Sequence, residues 1–190
     1  MINENAPVVL QDGRGLPNPY GISERIMRMT WFCFYWVGFR WVPRIFNGWH
    51  RGTLRLFGAR IGSDVLIYPS AVIDCPWNLV LADNCVIGDG VRLYALGTIT
   101  IGAHTVVSQR AHLCAGSHDY RDPRMPLLRP PITIGRGVWI CTEAFIGPDA
   151  TIGDRAVVGA RSVVTGHIPE DMVCAGNPCR AIRKRIVKRA

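Results

Sequence analysis

The stretch ITIGRGVWICTEAFIGPDATIGDRAVVGARSVVTGH, residues 132–167, divides into six consecutive hexads. The third position of every hexad is aliphatic, from Ile134 through Val164, and the first position is aliphatic or small. A helix turns every 3.6 residues and cannot keep a period of six on one face, whereas short strands joined by turns can. The pattern therefore predicts an all-β solenoid of stacked parallel strands, in which three hexads form one triangular coil.

A weaker form of the same repeat precedes this stretch. Aliphatic residues keep the period of six and then restart it with small shifts of phase, at Ile61, Ile67, Ile73, Leu79, Ile87, Ile101, Val107 and Leu113. Shifts of one or two residues indicate enlarged corners rather than loss of the repeat. The sequence thus predicts about five coils in all, within a solenoid domain of residues 58–175.

The chain before the repeat has a different composition. Eleven of the 17 aromatic residues lie between Tyr20 and Phe57, and the segment from Gly21 to Arg60 has seven arginines against one acid, Glu24. The run from Trp31 to Val42 is almost wholly apolar, but a spanning helix needs about 20 such residues. We predict a helical arm over residues 1–57, which either packs on the body of the protein or a sister subunit, or lies on a membrane surface.

Composition limits the class of protein. With 190 residues, 48% apolar and 19% charged, the chain suits one folded domain with appendages rather than a disordered or fibrous protein. Its seven cysteines include no CxxC pair, and its N-terminus has no apolar leader run, so we expect a cytoplasmic protein. Residues 176–190 form a basic tail, although the basic residues match no nucleic-acid-binding motif.

Four segments resemble the hexapeptide-repeat acyltransferases, most closely the maltose/galactoside O-acetyltransferase group and its colanic acid biosynthesis subgroup. They are GSHDYRDP (116–123), PITIGRGVWI (131–140), AFIGPDATIGDRAVVGARSVV (144–164) and AGNPCRAIRKR (175–185). The resemblance implies a left-handed parallel β-helix, with a short C-terminal helix or tail, that assembles as a homotrimer with active sites between subunits. It also implies transfer of acetyl from acetyl-CoA, without a metal, to a sugar hydroxyl in exopolysaccharide or other cell-surface saccharide biosynthesis.

His118 is the candidate catalytic residue. The hexads stop at Leu113 and resume at Ile132, and residues 118–131 between them contain four prolines, so His118 begins a loop on a rigid scaffold. An imidazole can take the proton of a hydroxyl near neutral pH, and the matching histidine of the family is the general base. The candidates to orient its ring are Asp119, Asp122, Glu143 and backbone carbonyls.

The resemblance also assigns residues to coenzyme A. These are Trp139, Thr142, Ala160, Thr165, Arg180 and Arg183. Many relatives have a lysine after the threonine that matches Thr165, whereas this chain has Gly166, so one phosphate contact differs. The asparagine that touches the acceptor sugar in galactoside-type enzymes has no secure counterpart, which leaves the acceptor open.

Three alternative functions remain at this stage. The first is an acetyltransferase for a non-saccharide small molecule, such as an antibiotic or an amino acid. The second is a metalloenzyme like the γ-carbonic anhydrases, suggested by His104, His112 and His118, although the spacing of six between the last two differs from the five of that family. The third is a non-enzymatic scaffold whose arm is the functional part, which predicts no binding of coenzyme A.

Overall fold

The computed structural model describes residues 19–187. The part of the predicted arm before residue 19, and residues 188–190 of the predicted tail, lie outside the described residues. Three parallel sheets form the sides of a triangular prism, and the chain passes from the first to the second to the third sheet in each coil. The predicted β-solenoid is therefore present.

The strands are short, mostly of two or three residues. The first sheet contains β1 (Arg60–Ile61), β4 (Leu79–Leu81), β7 (Ile99–Ile101), β12 (Ile132–Ile134), β15 (Thr151–Ile152) and β18 (His167–Ile168). The second sheet contains β2 (Leu66–Ile67), β5 (Val86–Ile87), β8 (Val106–Val107), β13 (Trp139–Ile140), β16 (Val157–Val158), β19 (Met172–Ala175) and β20 (Arg180–Lys184). The third sheet contains β3 (Val72–Ile73), β6 (Arg92–Tyr94), β9 (His112–Cys114), β14 (Phe145–Ile146) and β17 (Val163–Val164), and a separate hairpin contains β10 (Ser117–His118) and β11 (Leu127–Leu128).

The register explains the hexads and their phase shifts. Ile134 pairs with Ile152, 18 residues further on, so three hexads close one coil as predicted. In the earlier coils Ile61 pairs with Leu81, and Leu81 with Ile101, so these coils have 20 residues each. The two additional residues enlarge corners, such as the one that holds a 3₁₀ turn at Pro76–Asn78.

The aliphatic column forms the core of the prism. The third-position side chains of residues 132–167 are at most 1% exposed, and the small first-position residues Ala144, Ala150, Ala156 and Ser162 are buried at the corners. Full burial of each large aliphatic side chain stabilises the fold by about 1.5–3 kcal/mol. Because every coil contributes the same inward positions, the core continues along the whole prism.

The C-terminal end differs from the expectation in two respects. Five complete coils are followed by a sixth that has only β18 and β19, whereas the sequence predicted about five coils. The segment predicted as a short helix or tail is instead β20, which runs antiparallel to β19, with Arg180 opposite Ala175 and Lys184 opposite Met172. No further parallel strand follows β19, so the chain turns back and β20 supplies the hydrogen-bond partners of the β19 backbone.

The N-terminal arm consists of helices that pack on the prism. They are α1 (Ile22–Phe34), a π-helical turn (Tyr35–Phe39), a 3₁₀ turn (Arg44–Phe46) and α2 (Asn47–Leu56). Trp31, Tyr35 and Phe39 are buried at intervals of four, so one helical face points at the prism. The indole Nε1–H of Trp31 donates to the carbonyl of Ile73 at 2.6 Å. Between residues 19 and 187, no helix has both the length and the apolar character needed to cross a bilayer.

Helix α2 covers the open backbone edge of the first coil. The Asn47 amide donates from Nδ2 to the carbonyl of Val65 at 2.6 Å and accepts at Oδ1 from the N–H of Ile67 at 3.0 Å. A single side chain thus pairs with the open backbone of β2 as a neighbouring strand would.

Candidate active site

The hairpin of β10 and β11 leaves the prism where the third sheet meets the first. It connects β9 to β12, and its strands pair antiparallel, with Ser117 opposite Leu128 and His118 opposite Leu127. The predicted interruption of the hexads is therefore an ordered excursion with its own hydrogen bonds. It holds His118 at the surface, on the edge that we call the third–first edge.

A backbone carbonyl orients the ring of His118. The ring Nδ1 lies 2.6 Å from the carbonyl oxygen of Met125, on the opposite side of the hairpin. Because a carbonyl oxygen only accepts, Nδ1 is the donor in this hydrogen bond, which favours the neutral tautomer with its lone pair on Nε2. Met125 itself has a φ of 45°, in the left-handed region, and its N–H donates to the carbonyl of Asp122 at 2.8 Å. The turn therefore aims the Met125 carbonyl at the ring.

The two nearby aspartates have other partners. Asp119 accepts from the backbone N–H and the guanidinium of Arg121, and these bonds hold the pKa of its carboxyl below the usual value. Asp122 accepts in the same way from Arg124, which lowers its pKa to about 2. Both side chains stabilise the turn of the hairpin rather than contact His118.

Glu143 lies near a different corner of the prism. Its carboxylate binds Arg161 at 2.6 Å and Arg110 at 2.8 Å, so arginines of neighbouring coils hold it. Of the candidates to orient His118, the carbonyl is thus the one that does so. Sequence reasoning could allow for a carbonyl but could not choose it, because a backbone atom has no sequence signature.

Three predicted coenzyme residues lie around the edge between the second and third sheets. Trp139 projects outward from β13, is 48% exposed, and donates from Nε1 to the Ser108 hydroxyl at 2.9 Å. Thr142 follows β13 at the corner, and Ala160 occupies the equivalent corner one coil further along, where the N–H of Arg161 donates to the Thr142 carbonyl. We call this the second–third edge.

The other predicted coenzyme residues divide between two places. Arg180 and Arg183 lie on β20, at the end of the second sheet, and both are exposed. Thr165 follows β17 and is exposed on the third–first edge, the same edge as His118. The structure therefore brings Trp139, Thr142 and Ala160 together, but it places His118 on a different edge of the same protomer. One side of the triangle separates the two edges, roughly 15 Å at about 3.3 Å per residue.

The histidines that suggested a metal site do not converge. His104 is exposed at the corner after β7, while His112 is half-buried in β9 with its ring edge against Phe145. Burial lowers the pKa of His112. Within residues 19–187, no three histidine, cysteine, aspartate or glutamate side chains are grouped to hold a metal ion.

A groove that sequence analysis did not predict lies between α1 and the third sheet. Its volume is about 730 Å³, and arginines and aromatic residues of the arm form much of its lining. The excess of arginine over acid in the arm was the available signal, but the surface that those arginines line depends on how the arm packs.

Comparison with known proteins places this architecture in a family. Residues 131–166 match the bacterial transferase hexapeptide family (six repeats). The chain is 44% identical over 179 residues to WcaF of Escherichia coli (strain K12), a protein named as a colanic acid biosynthesis acetyltransferase, covering 93% of this chain and 98% of WcaF. This chain belongs to the hexapeptide-repeat acetyltransferase family.

Solved structures agree with this assignment. The hexapeptide-repeat acetyltransferase VCA0836 of Vibrio cholerae O1 biovar eltor, complexed with acetyl coenzyme A, superposes with a TM-score of 0.80 at 22% identity, over 90% of this chain and 93% of that one. Galactoside acetyltransferase in complex with coenzyme A gives a TM-score of 0.77 at 26% identity, over 84% and 81%. The predicted left-handed parallel β-helix, the resemblance to galactoside-type acetyltransferases and the assignment as an acetyltransferase are confirmed.

Proposed function

We propose that this acetyltransferase moves acetyl from acetyl-CoA to a hydroxyl of a sugar in the biosynthesis of a cell-surface polysaccharide. The similarity to WcaF, named for colanic acid biosynthesis, supports the saccharide acceptor. The neighbouring structures that hold acetyl coenzyme A or coenzyme A support the donor. Trp139, Thr142, Ala160, Thr165, Arg180 and Arg183 are the proposed contacts to the coenzyme.

The hydrogen bond between His118 and the Met125 carbonyl is the observation that carries the mechanism. It keeps the proton on Nδ1 and leaves Nε2 as the base, on an exposed edge that an acceptor can reach. Nε2 takes the proton of the sugar hydroxyl as its oxygen attacks the thioester carbonyl. The C–S bond then breaks, and the imidazolium returns the proton to the leaving thiolate, so no covalent enzyme intermediate is needed.

We propose further that the active enzyme is a homotrimer with its sites between subunits. His118 and the Trp139 group lie on different edges of one prism, while one thioester must reach both. Around a threefold axis, the third–first edge of one copy can face the second–third edge of the next. A neighbouring subunit would then supply the coenzyme contacts on the second–third edge for each His118.

Replacing His118 tests the proposal. We expect His118→Ala and His118→Asn to lower kcat for acetyl transfer by about 100- to 10,000-fold, because neither side chain can accept the proton. The asparagine variant can still donate to the Met125 carbonyl and controls for loss of the hairpin. The measurement is thiol release from acetyl-CoA across a panel of sugars, nucleotide sugars and lipid-linked oligosaccharides, and a variant with over half of the activity would remove His118 from this role.

Mixing inactive variants tests the site between subunits. When His118→Ala is reassembled with a coenzyme-edge variant such as Trp139→Ala, mixed trimers contain some sites with both residues intact, so activity should reappear. Sites built within one protomer would stay inactive in every mixture. Acetyl-CoA binding by the His118→Ala trimer, followed calorimetrically, shows whether the coenzyme edge is intact.

We also propose a cytoplasmic enzyme that contacts the membrane face through residues 20–57. Outside the groove, the arm exposes large apolar side chains, among them Ile26, Val37, Trp41 and Ile45. Aromatic and aliphatic side chains mixed with arginine are typical of helices that lie at a lipid surface.

A further inference from the structure

We infer that the groove between α1 and the third sheet binds a phosphate or diphosphate ester carried by the acceptor saccharide. The inference rests on the proposed saccharide acetyltransferase activity and names the chemical class of its acceptor. Arg25, Arg28, Arg40 and Arg92 would hold the phosphate oxygens. Guanidinium groups suit this task because their planar N–H donors match the geometry of phosphate.

The groove has the size of a small-molecule site. Its volume of about 730 Å³ falls within the range of about 300–1,000 Å³ that is usual for ligand pockets. The α1 side contributes Arg25, Arg28, Met29 and Phe32, while β3, β6 and their corners contribute Val72, Asp74 and Arg92. The lining therefore offers both charged and apolar side chains to a phosphorylated sugar.

The charge of the lining is strongly one-sided. Four arginines and one carboxylate, Asp74, line the groove. Asp74 lies 3.5 Å from Arg92, the arginine that it partly neutralises. Among the described residues, no carboxylate lies within ion-pair distance of Arg25 or Arg40. The groove therefore presents the charges of Arg25 and Arg40, which have no ion-pair partner among the described residues.

The direct hydrogen bond of Arg28 goes to a thiol rather than to a carboxylate. Its Nη1 lies 2.9 Å from the sulfur of Cys75. Burial raises the pKa of the Cys75 thiol to about 11, so the thiol is neutral at pH 7. The contact positions the guanidinium without cancelling its charge.

One end of the groove is tied to the hairpin that carries His118. The ring of Tyr20, which lines the groove, lies under Arg28 at 4.4 Å and under Arg129 at 5.4 Å. Arg129 directly follows β11 and pairs with Glu24 of α1 at 3.0 Å. An acceptor whose phosphate lies in the groove can therefore extend its sugar toward this hairpin, which makes the groove a part of the acceptor site rather than an isolated anion site.

The first test measures anion binding without acetyl-CoA. We expect inorganic pyrophosphate to bind the full-length protein. In the double variant Arg25→Gln/Arg40→Gln, the Kd for pyrophosphate should rise by about tenfold or more, because each arginine supplies a charge-assisted hydrogen bond. Arg60→Gln is the matched control, because Arg60 is an exposed arginine on β1, away from the groove. Thermal unfolding confirms that both variants fold. Pyrophosphate binding that is absent, or equal in the double variant and wild type, would overturn the inference.

The second test identifies the source of the phosphate and separates the two proposals. Retention on phosphatidylcholine vesicles that contain a polyprenyl diphosphate, reversed by pyrophosphate, supports a lipid-borne ester; binding of soluble pyrophosphate without such retention supports a soluble phosphorylated saccharide. In kinetics, the double variant should raise KM for a phosphorylated acceptor and leave KM for acetyl-CoA unchanged. If the wild-type protein transfers acetyl to plain sugars but binds no pyrophosphate, this inference alone is overturned. A fully active His118→Ala would overturn the proposed mechanism and leave the binding result standing.

Discussion

The prism and the arm both contain many apolar residues, but they bury them in different ways. In residues 132–167 the third position of every hexad sends an aliphatic side chain into the core, and these side chains are at most 1% exposed. The arm buries Trp31, Tyr35 and Phe39 against the prism, while Phe32 is 59% exposed and Val37 83% exposed. In the prism, burial follows from the local repeat; in the arm, burial depends on a surface formed by another part of the chain. We therefore expect the structure of the arm, unlike that of the prism, to depend on contacts with another part of the chain.

Removing the main anchor of the arm should have the largest effect. Trp31→Ala deletes a side chain that is 2% exposed, its hydrogen bond to Ile73, and its ring contacts with Phe39 and Phe57. We expect docking of the arm to weaken by about 3–5 kcal/mol, while the prism stays folded. Limited proteolysis and amide hydrogen exchange would show cleavage and fast exchange confined to the arm.

Trp36→Ala is the control for this experiment, because Trp36 is 47% exposed on the same helical segment. If Trp31→Ala instead exposes the strands of the prism to exchange as much as the arm, the two regions unfold as one unit. The distinction between them would then be wrong.

Replacing a glycine by alanine should lower the free energy of unfolding in the prism and raise it in the arm. A Cβ on Gly102 would lie 2.6 Å from the backbone carbon of Gly135 in the next coil, so Gly102→Ala should destabilise the protein by about 2–3 kcal/mol. A Cβ on Gly52, within α2, meets no atom within 4 Å, so Gly52→Ala should stabilise the protein by about 0.5–1 kcal/mol. Urea unfolding of both variants measures the difference, and equal signs would contradict this account of the coil spacing.

The smallest effect on stability is expected at the exposed face of the arm. Val37→Ser/Trp41→Ser should change the free energy of unfolding by no more than about 0.5 kcal/mol, because these side chains are 83% and 74% exposed. The same variant should lose most of its binding to vesicles that contain anionic lipid, as measured by co-sedimentation. Ile182→Ser, which alters an exposed apolar residue on β20, is the control, and an equal loss in both variants would argue against a membrane contact specific to the arm.

The repeat made most of the fold predictable, because its physical cause is local. The phase shifts before residue 132 also had a local meaning, since they correspond to coils of 20 rather than 18 residues. Strand β20 was not predicted, because a sequence of basic and aliphatic residues becomes a strand only when the open backbone of β19 is beside it. The boundaries assigned to the arm, the prism and the tail remain predictions.

The candidate site also has features that the sequence predicts and features that depend on packing. His118 was identifiable because the hexads stop beside it, and the resemblance to a family gave it a role. The carbonyl of Met125 was not identifiable, because its direction depends on a turn with a φ of 45°. The four arginines of the groove were visible only as an excess of positive charge, since Arg92 joins the arm arginines through packing between distant segments.

The amide of Asn47 and the antiparallel strand β20 have a consequence for how far the protein can assemble. Identical short strands stacked in parallel are also the geometry of amyloid, and such stacks lengthen by adding strands to an open end. Here the Asn47 side chain covers the start of the second sheet, and the end of that sheet is reversed in direction by β20. Along this sheet a second copy would find no parallel edge on which to continue. The caps, rather than the repeat, thus set the finite length of the second sheet.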